Sequence, residues 1–177
     1  MRIDSVLLSR PLGLATDIPL TASAGFLATL AITTTMYLLP ALGLPQVDLP
    51  IWVARIFTKS PVGVAASGLA IHLVVGFGFA WLYTARVEPR LAISPAWSGA
   101  AYGVALWLFA QAVAVPVLGV LAATLAGDGA LSPGLVSYRL GLGAALGSLT
   151  SHVAYGVVLG FVYGCHGGGQ CRRQAHV

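Results

Sequence analysis

Two histidines, His72 and His152, each lie near the middle of a long apolar segment of this 177-residue chain. An ionisable side chain deep in a membrane-spanning segment marks a functional site by default. Neutral imidazole is an axial ligand of haem iron, and two histidines at one depth on two helices are what a bis-histidine haem b requires. The pair is therefore a candidate for tetrapyrrole binding. Two other interpretations stay open: hydrogen bonds that orient the helices, and a proton or ion pathway.

Both histidines belong to one pattern of small residues, Gly68-x3-His72-x3-Gly76-x3-Ala80-x2-Tyr83 and Ser148-x3-His152-x3-Gly156-x3-Gly160-x2-Tyr163. Every member is displaced by 80 positions (152 minus 72). Residues four apart share a helix face, so the small residues predict close helix–helix contact. The predicted packing residues are Gly68, Gly76, Ala80, Ser148, Gly156 and Gly160. Direct packing of the two helices on each other would leave no room for a macrocycle.

Other polar side chains fall at a similar depth in the remaining two apolar segments. Gln111 and Thr35 correspond under a displacement of 76 and are predicted to be buried polar residues. We expect both imidazoles to face the interior, because unpaired ring nitrogens in lipid would cost about 1–3 kcal/mol. Thr35 and Gln111 should then lie within reach of at least one histidine, directly or through water.

The elements that must position these residues follow from composition. Hydrophobic residues make up 58% of the chain and charged residues 8%, with a mean hydropathy of +0.89. Soluble domains carry about 25% charged residues, so the surroundings must be largely lipid. The scattered cations exclude a nucleic-acid binder. Four uncharged stretches reach the roughly 20 residues that a spanning helix needs: about 20–42, 62–83, 98–125 and 140–163.

The sequence predicts an all-α transmembrane four-helix bundle made of two parallel helix-hairpin repeats, residues 20–84 and 98–164. The whole transmembrane domain would span residues 20–164, between a surface-lying N-terminal arm (1–19) and a flexible basic tail (165–177). Six cations on the side of the termini against three on the other side predict that both termini are cytoplasmic.

Two shorter segments have features of their own. Asp48 is a suitable N-cap for a short interfacial helix over residues 49–59, with an ordinary connecting loop as the alternative. The tail holds Cys165, His166, Cys171 and His176, but their spacing matches none of the usual zinc patterns, so we predict no metal site.

The pattern around the histidines, together with the turn Gly43-Leu44-Pro45 and the closing Gly160-Phe161-Val162-Tyr163-Gly164, resembles a family of small four-helix bacterial integral membrane proteins of unknown function. The resemblance covers roughly residues 25–164 and implies the fold without supplying any chemistry. Eight arginines against one lysine, with abundant alanine and glycine, resemble proteins of GC-rich bacteria, so we expect a bacterial inner-membrane protein.

No nucleophile, metal-ligand or paired-carboxylate motif occurs, so we do not expect an enzyme. The leading hypothesis is an accessory or structural subunit that contacts membrane lipid and associates through its helices with other transmembrane subunits or as a homo-oligomer. It needs no cofactor. The alternatives are an electron-transfer subunit that binds haem b or another tetrapyrrole, and a small transporter or channel.

Overall fold

The computed structural model describes residues 16–91, 93–126 and 133–166, and within them every regular element is helical. The α-helices are α1 (Ile18–Leu38), α2 (Leu49–Phe57), α3 (Pro61–Leu82), α4 (Pro95–Phe109), α5 (Val115–Ala126) and α6 (Leu142–His166). A 3-10 turn (Leu39–Leu42) extends α1, and another (Leu135–Leu140) precedes α6. A π-helical turn, Ala110–Ala114, joins α4 to α5, and a second one, Tyr83–Val87, follows α3.

Four helical stretches are long and apolar enough to cross a membrane, which confirms the predicted number of spans. They cover Ile18–Leu42, Pro61–Arg90, Pro95–Ala126 and Leu142–Cys165. Several boundaries differ from the prediction, and among them the second span continues to Arg90 and the third begins at Pro95. Asp17 caps α1 by accepting from the Leu20 amide at 3.0 Å, so the helix begins two residues early. The last helix continues into the predicted tail, while the rest of the tail and residues 1–15 lie outside the described residues.

The short helix α2 forms as the Asp48 cap predicts, and the alternative of a plain loop is wrong. An Asp48 carboxylate oxygen accepts from the backbone amide of Ile51 at 3.1 Å. The helix packs against α3 and α5, and Ile51 lies over Gly68. At its far end the Lys59 ammonium donates to the Ala126 carbonyl, the last residue of α5. These contacts make α2 a bridge between the second and third spans.

Glycines bring two antiparallel helix pairs into close contact. In the first pair, α1 and α3, Gly25 lies against Ala80 and Thr29 against Gly76. A side chain at Gly76 would overlap the Thr29 hydroxyl, so the contact requires glycine.

In the second pair, α4 and α6, the backbones themselves touch. Gly99 lies against Gly156 and Gly160, and Gly103 lies against the carbonyl of His152. A Cβ on Gly99 would overlap the Gly156 carbonyl oxygen. Both pairs join through α1 and α6, which pack on each other.

The two histidine-bearing helices, α3 and α6, make almost no backbone contact in the described structure. Direct packing of one on the other, considered from the sequence, is therefore wrong. Their small-residue faces each serve a different partner, α1 for α3 and α4 for α6. Near the Tyr83 end of α3, side chains fill the space between α3, α4 and α6, in a mainly aromatic buried cluster that includes Tyr83, Tyr102, Tyr155 and Leu159.

Candidate ligand cavity

A cavity of about 440 Å³ lies inside the bundle, and both His72 and His152 line it. Its walls come from α1, α3, α2, the α4–α5 segment and α6. In this order each element packs against the next, and α6 packs against α1. The volume falls in the range of about 300–1,000 Å³ that is typical of small-molecule sites. The two histidines predicted to share a site thus open onto the same space.

One end of this cavity is closed by α2 and the other by aromatic residues. At the α2 end the lining residues are Val47, Leu49, Pro50 and Val53. At the aromatic end, Tyr155 donates to the Gly76 carbonyl at 2.6 Å and Tyr102 donates to the Phe79 carbonyl at 2.8 Å. These two hydrogen bonds link α3 to α6 and to α4, whose backbones make almost no direct contact with that of α3.

A side gap opens the cavity towards the lipid. Four lining residues are about half-exposed: Val75 on α3, and Phe109, Val113 and Val117 on the α4–α5 segment. Those two walls make almost no backbone contact with each other in the described structure. We call this opening the lipid portal. It is wholly apolar, so a hydrocarbon chain can occupy it without losing hydrogen bonds to water.

The ring of His152 is held from its own helix. Its Nδ1 lies 2.8 Å from the Ser148 carbonyl oxygen and 3.5 Å from the Ser148 hydroxyl. Nε2 has no hydrogen-bond partner among the described residues. Because the ring lines the cavity, that nitrogen is available to whatever occupies the cavity.

The ring of His72 is held from the neighbouring helix α1. Its Nδ1 lies 3.2 Å from the Thr33 hydroxyl, and that hydroxyl donates to the Thr29 carbonyl at 2.7 Å. As for His152, Nε2 has no partner within the described part of the chain. The two imidazoles therefore share one arrangement, with Nδ1 anchored to protein and Nε2 left for the cavity.

The predicted polar partners of the histidines lie elsewhere. Thr35 is half-buried, and its hydroxyl donates to the Ala31 carbonyl at 2.8 Å. Gln111 is buried, but its Oε1 accepts from the Ser137 hydroxyl at 2.8 Å. Neither makes a direct hydrogen bond to a histidine. The threonine of α1 that bonds His72 is Thr33 and not Thr35, because the helical rotation of α1 directs Thr33 towards α3.

Gln111 instead forms a strained polar pair with Ser137. Ser137 is fully buried and, like Val136, has a φ of 53°, in the left-handed region that disfavours residues with a Cβ. The Gln111 Nε2 has no partner, the one such buried side-chain atom in the described residues. The π-helical turn Ala110–Ala114 places this amide against the turn before α6 and away from the cavity.

Five of the six predicted packing residues do make close helix contacts, all of them inside the chain. Gly68 contacts α2, Gly76 and Ala80 contact α1, and Gly156 and Gly160 contact α4. Ser148 differs, because it lines the cavity next to His152. Sequence reasoning missed Tyr155 and the partner glycines Gly25, Gly99 and Gly103. The spacing Gly99-x3-Gly103 was the available signal for the glycines.

The side chains that line the cavity limit which metal ions, cofactors or ligands it can bind. No cluster of three or more His, Cys, Asp or Glu side chains occurs in the described residues, whereas haem ligation needs only the two imidazoles. No charged side chain lines the cavity within residues 16–91, 93–126 and 133–166. Any bound molecule therefore meets apolar walls, two histidines, Ser148 and Tyr155.

Comparison of the chain with protein-family models, with curated proteins and with solved structures found no match. The resemblance to small four-helix bacterial membrane proteins therefore stays a prediction from the sequence. The chain's function has to be argued from its own cavity.

Proposed function

We propose that this multi-pass membrane protein is a non-enzymatic binding protein that holds a lipid-soluble molecule in the cavity between α3, α6 and the α4–α5 segment. The observation that carries the proposal is the pair of histidines whose Nε2 atoms are left without protein partners in one apolar cavity. Neither Nε2 atom is enclosed, because Gln111 Nε2 is the one buried side-chain atom without a partner in the described residues. Both imidazole nitrogens therefore open onto the cavity, where a ligand can form hydrogen bonds with them.

A tetrapyrrole is one ligand that the imidazoles fit. A histidine that ligates a metal usually donates its other ring N–H to a carbonyl or carboxylate, as His152 does towards Ser148. The haem propionates have no partner, however, because no cation lines the described cavity. The lining therefore favours an uncharged ligand over haem b.

The accessory-subunit hypothesis loses one of the features that suggested it. It rested on short loops, on the lack of a soluble domain and on small-residue helix faces that could contact other transmembrane subunits. Gly76, Ala80, Gly156 and Gly160 are instead buried against helices of the same chain. A transporter or channel is likewise less well supported, since an ion pathway would need a polar route and the cavity walls are almost wholly apolar.

The finer organisation of the chain is part of the proposal. We infer two parallel hairpin repeats in a bacterial inner membrane, with both termini cytoplasmic. The close contacts support the repeat, because Gly25–Ala80 and Thr29–Gly76 correspond to Gly99–Gly160 and Gly103–Gly156. The first member of each pair is displaced by 74 (99 minus 25), in place of the 76 that relates Thr35 to Gln111, and the second member by 80.

Ligand retention after mild purification tests the binding function. The full chain would be purified in a gentle detergent, its absorption spectrum recorded, and its organic extract analysed by mass spectrometry. Ala114→Phe places a ring in the cavity, while Ala112→Phe places one on an exposed site of the same turn. We expect the parent and Ala112→Phe to retain a stoichiometric apolar molecule and Ala114→Phe to lose it.

Two other outcomes of this experiment would overturn the proposal or identify the ligand as haem. A parent that carries no molecule and gains no stability from any added lipid-soluble ligand would overturn the proposal. A Soret band that is lost in His72→Ala or His152→Ala would instead identify the ligand as haem.

A further inference from the structure

We propose that the cavity binds a lipid-tailed aromatic diol, the reduced (quinol) form of a membrane quinone, in preference to its oxidised form. This inference rests on the proposed binding function and adds the chemical class of the ligand. It follows from which nitrogen of each imidazole carries the proton.

The proton position on His152 is set by a backbone group. A carbonyl oxygen only accepts hydrogen bonds, so Nδ1 must donate to the Ser148 carbonyl across their 2.8 Å separation. In a neutral imidazole one nitrogen carries the proton and the other carries a lone pair. Nε2 of His152 therefore presents a lone pair to the cavity.

The proton position on His72 is set through a hydroxyl. Thr33 has one hydroxyl proton, and we assign it to the Thr29 carbonyl because that contact, at 2.7 Å, is shorter than the 3.2 Å contact with His72 Nδ1. The Thr33 oxygen can then only accept from His72 Nδ1, which lies 3.2 Å away. Nε2 of His72 consequently presents a second lone pair to the same cavity.

A ligand that pairs with both acceptors needs two donors. An aromatic diol carries two hydroxyl groups on a flat ring, and Phe79, Phe109 and Tyr155 in the lining offer ring surfaces for it. The ligand must be uncharged, because no charged side chain lines the described cavity. Its hydrocarbon tail can leave through the lipid portal between Val75 and Val113.

The same arrangement disfavours the related ligands. A quinone has two carbonyl acceptors, which would face the two imidazole lone pairs without a proton between them. Turning the imidazole protons towards a quinone would break the Nδ1 bonds to Ser148 and Thr33. A lipid with one hydroxyl would leave one histidine unpaired.

The direct test compares the two redox forms of one ligand on the intact protein. Decylubiquinol under argon and decylubiquinone in air would each be titrated into the purified full chain by calorimetry. We expect the quinol to bind at least about tenfold more tightly, as two extra net hydrogen bonds allow. His72→Phe and His152→Phe should each weaken quinol binding about tenfold and leave quinone binding nearly unchanged.

A matched pair of threonine variants isolates the proton position from the fold. Thr33→Val removes the acceptor that holds the His72 proton on Nδ1, so the ring is free to carry the proton on Nε2. The preference for quinol should then fall several-fold through tighter quinone binding. Thr35→Val removes a hydroxyl that bonds only within α1, and it should leave the preference unchanged.

The possible outcomes separate this inference from the binding function. Equal affinities for quinol and quinone, both lost in Ala114→Phe, would overturn the diol assignment and keep the binding function. Failure of both forms to bind, together with absence of any co-purified molecule, would overturn both proposals. Retained haem would overturn the diol assignment alone.

Discussion

The Tyr155 hydroxyl donates to the carbonyl oxygen of Gly76 at 2.6 Å and is the link between α6 and α3 at the aromatic end of the cavity. Both residues are buried. The carbonyl is already the acceptor of a helical bond, so the tyrosine uses its second lone pair. The Tyr155 side chain therefore spans the gap between α3 and α6, and the cavity lies in this gap.

Removing this hydroxyl should loosen the bundle without emptying the core. We expect Tyr155→Phe to lower the free energy of unfolding by about 0.6 kcal/mol, and by no more than about 1.7, the range for hydrogen bonds between membrane helices. Tyr138→Phe is the control, because Tyr138 is exposed and its hydroxyl accepts only from Arg139 among the described hydrogen bonds. Unfolding in mixed micelles measures both; equal stability of the two variants would contradict the prediction.

Glycine at the α4–α6 crossing should be irreplaceable. Gly99→Ala forces a methyl group onto the Gly156 backbone, and we expect a loss of about 1–3 kcal/mol from overpacking. Gly78→Ala is the matched control on α3, since nothing lies within 4 Å of its Cβ position. The control should be neutral or stabilising by up to about 1 kcal/mol through helix propensity. Thermal unfolding in detergent would show the prediction to be wrong if both substitutions behaved alike.

The Gln111–Ser137 pair should behave as a coupled unit. Ser137→Ala leaves the buried amide with no partner at all, and we expect a loss of about 1–3 kcal/mol. Replacing both residues, as Gln111→Leu with Ser137→Ala, removes the unpaired groups together and should recover most of that loss. A double-mutant cycle on the free energy of unfolding measures the coupling. Strictly additive effects would mean that the bond contributes nothing.

The orientation in the membrane is open to a reporter test. Cations favour cytoplasmic termini, so alkaline phosphatase fused at the C-terminus should be inactive, and the same enzyme inserted after Ser60 should be active. A green fluorescent protein fusion should show the opposite pattern at the two sites. Activity of the C-terminal phosphatase would reverse the proposed topology.

Several elements could be predicted because their causes are local. Span number follows from segment length and apolar content, which need no knowledge of neighbours. The start of α2 follows from Asp48, whose carboxylate satisfies an amide of its own first turn. The importance of His72 and His152 follows from the rarity of imidazole in apolar segments.

Only the tertiary structure decided what the small-residue faces contact. The sequence marks Gly76 and Gly156 as sites of close approach, yet α1 contacts the first and α4 the second. In lipid every helix face is apolar, so hydropathy does not distinguish an inward face from an outward one. The choice of partner depends on shape, and shape is a property of two surfaces at once.

The sequence by itself determined that the chain lies largely in lipid, that it has four apolar spans, and that His72 and His152 are the candidate site residues. The fold decided that those imidazoles share a cavity, that Thr33 and not Thr35 holds His72, and that Gln111 turns to Ser137. The physical reason is that apolar content and helix capping depend on residues close together in the chain. The rotation of each helix, by contrast, is set by backbone contacts such as Gly99 on Gly156, which only the assembled bundle contains.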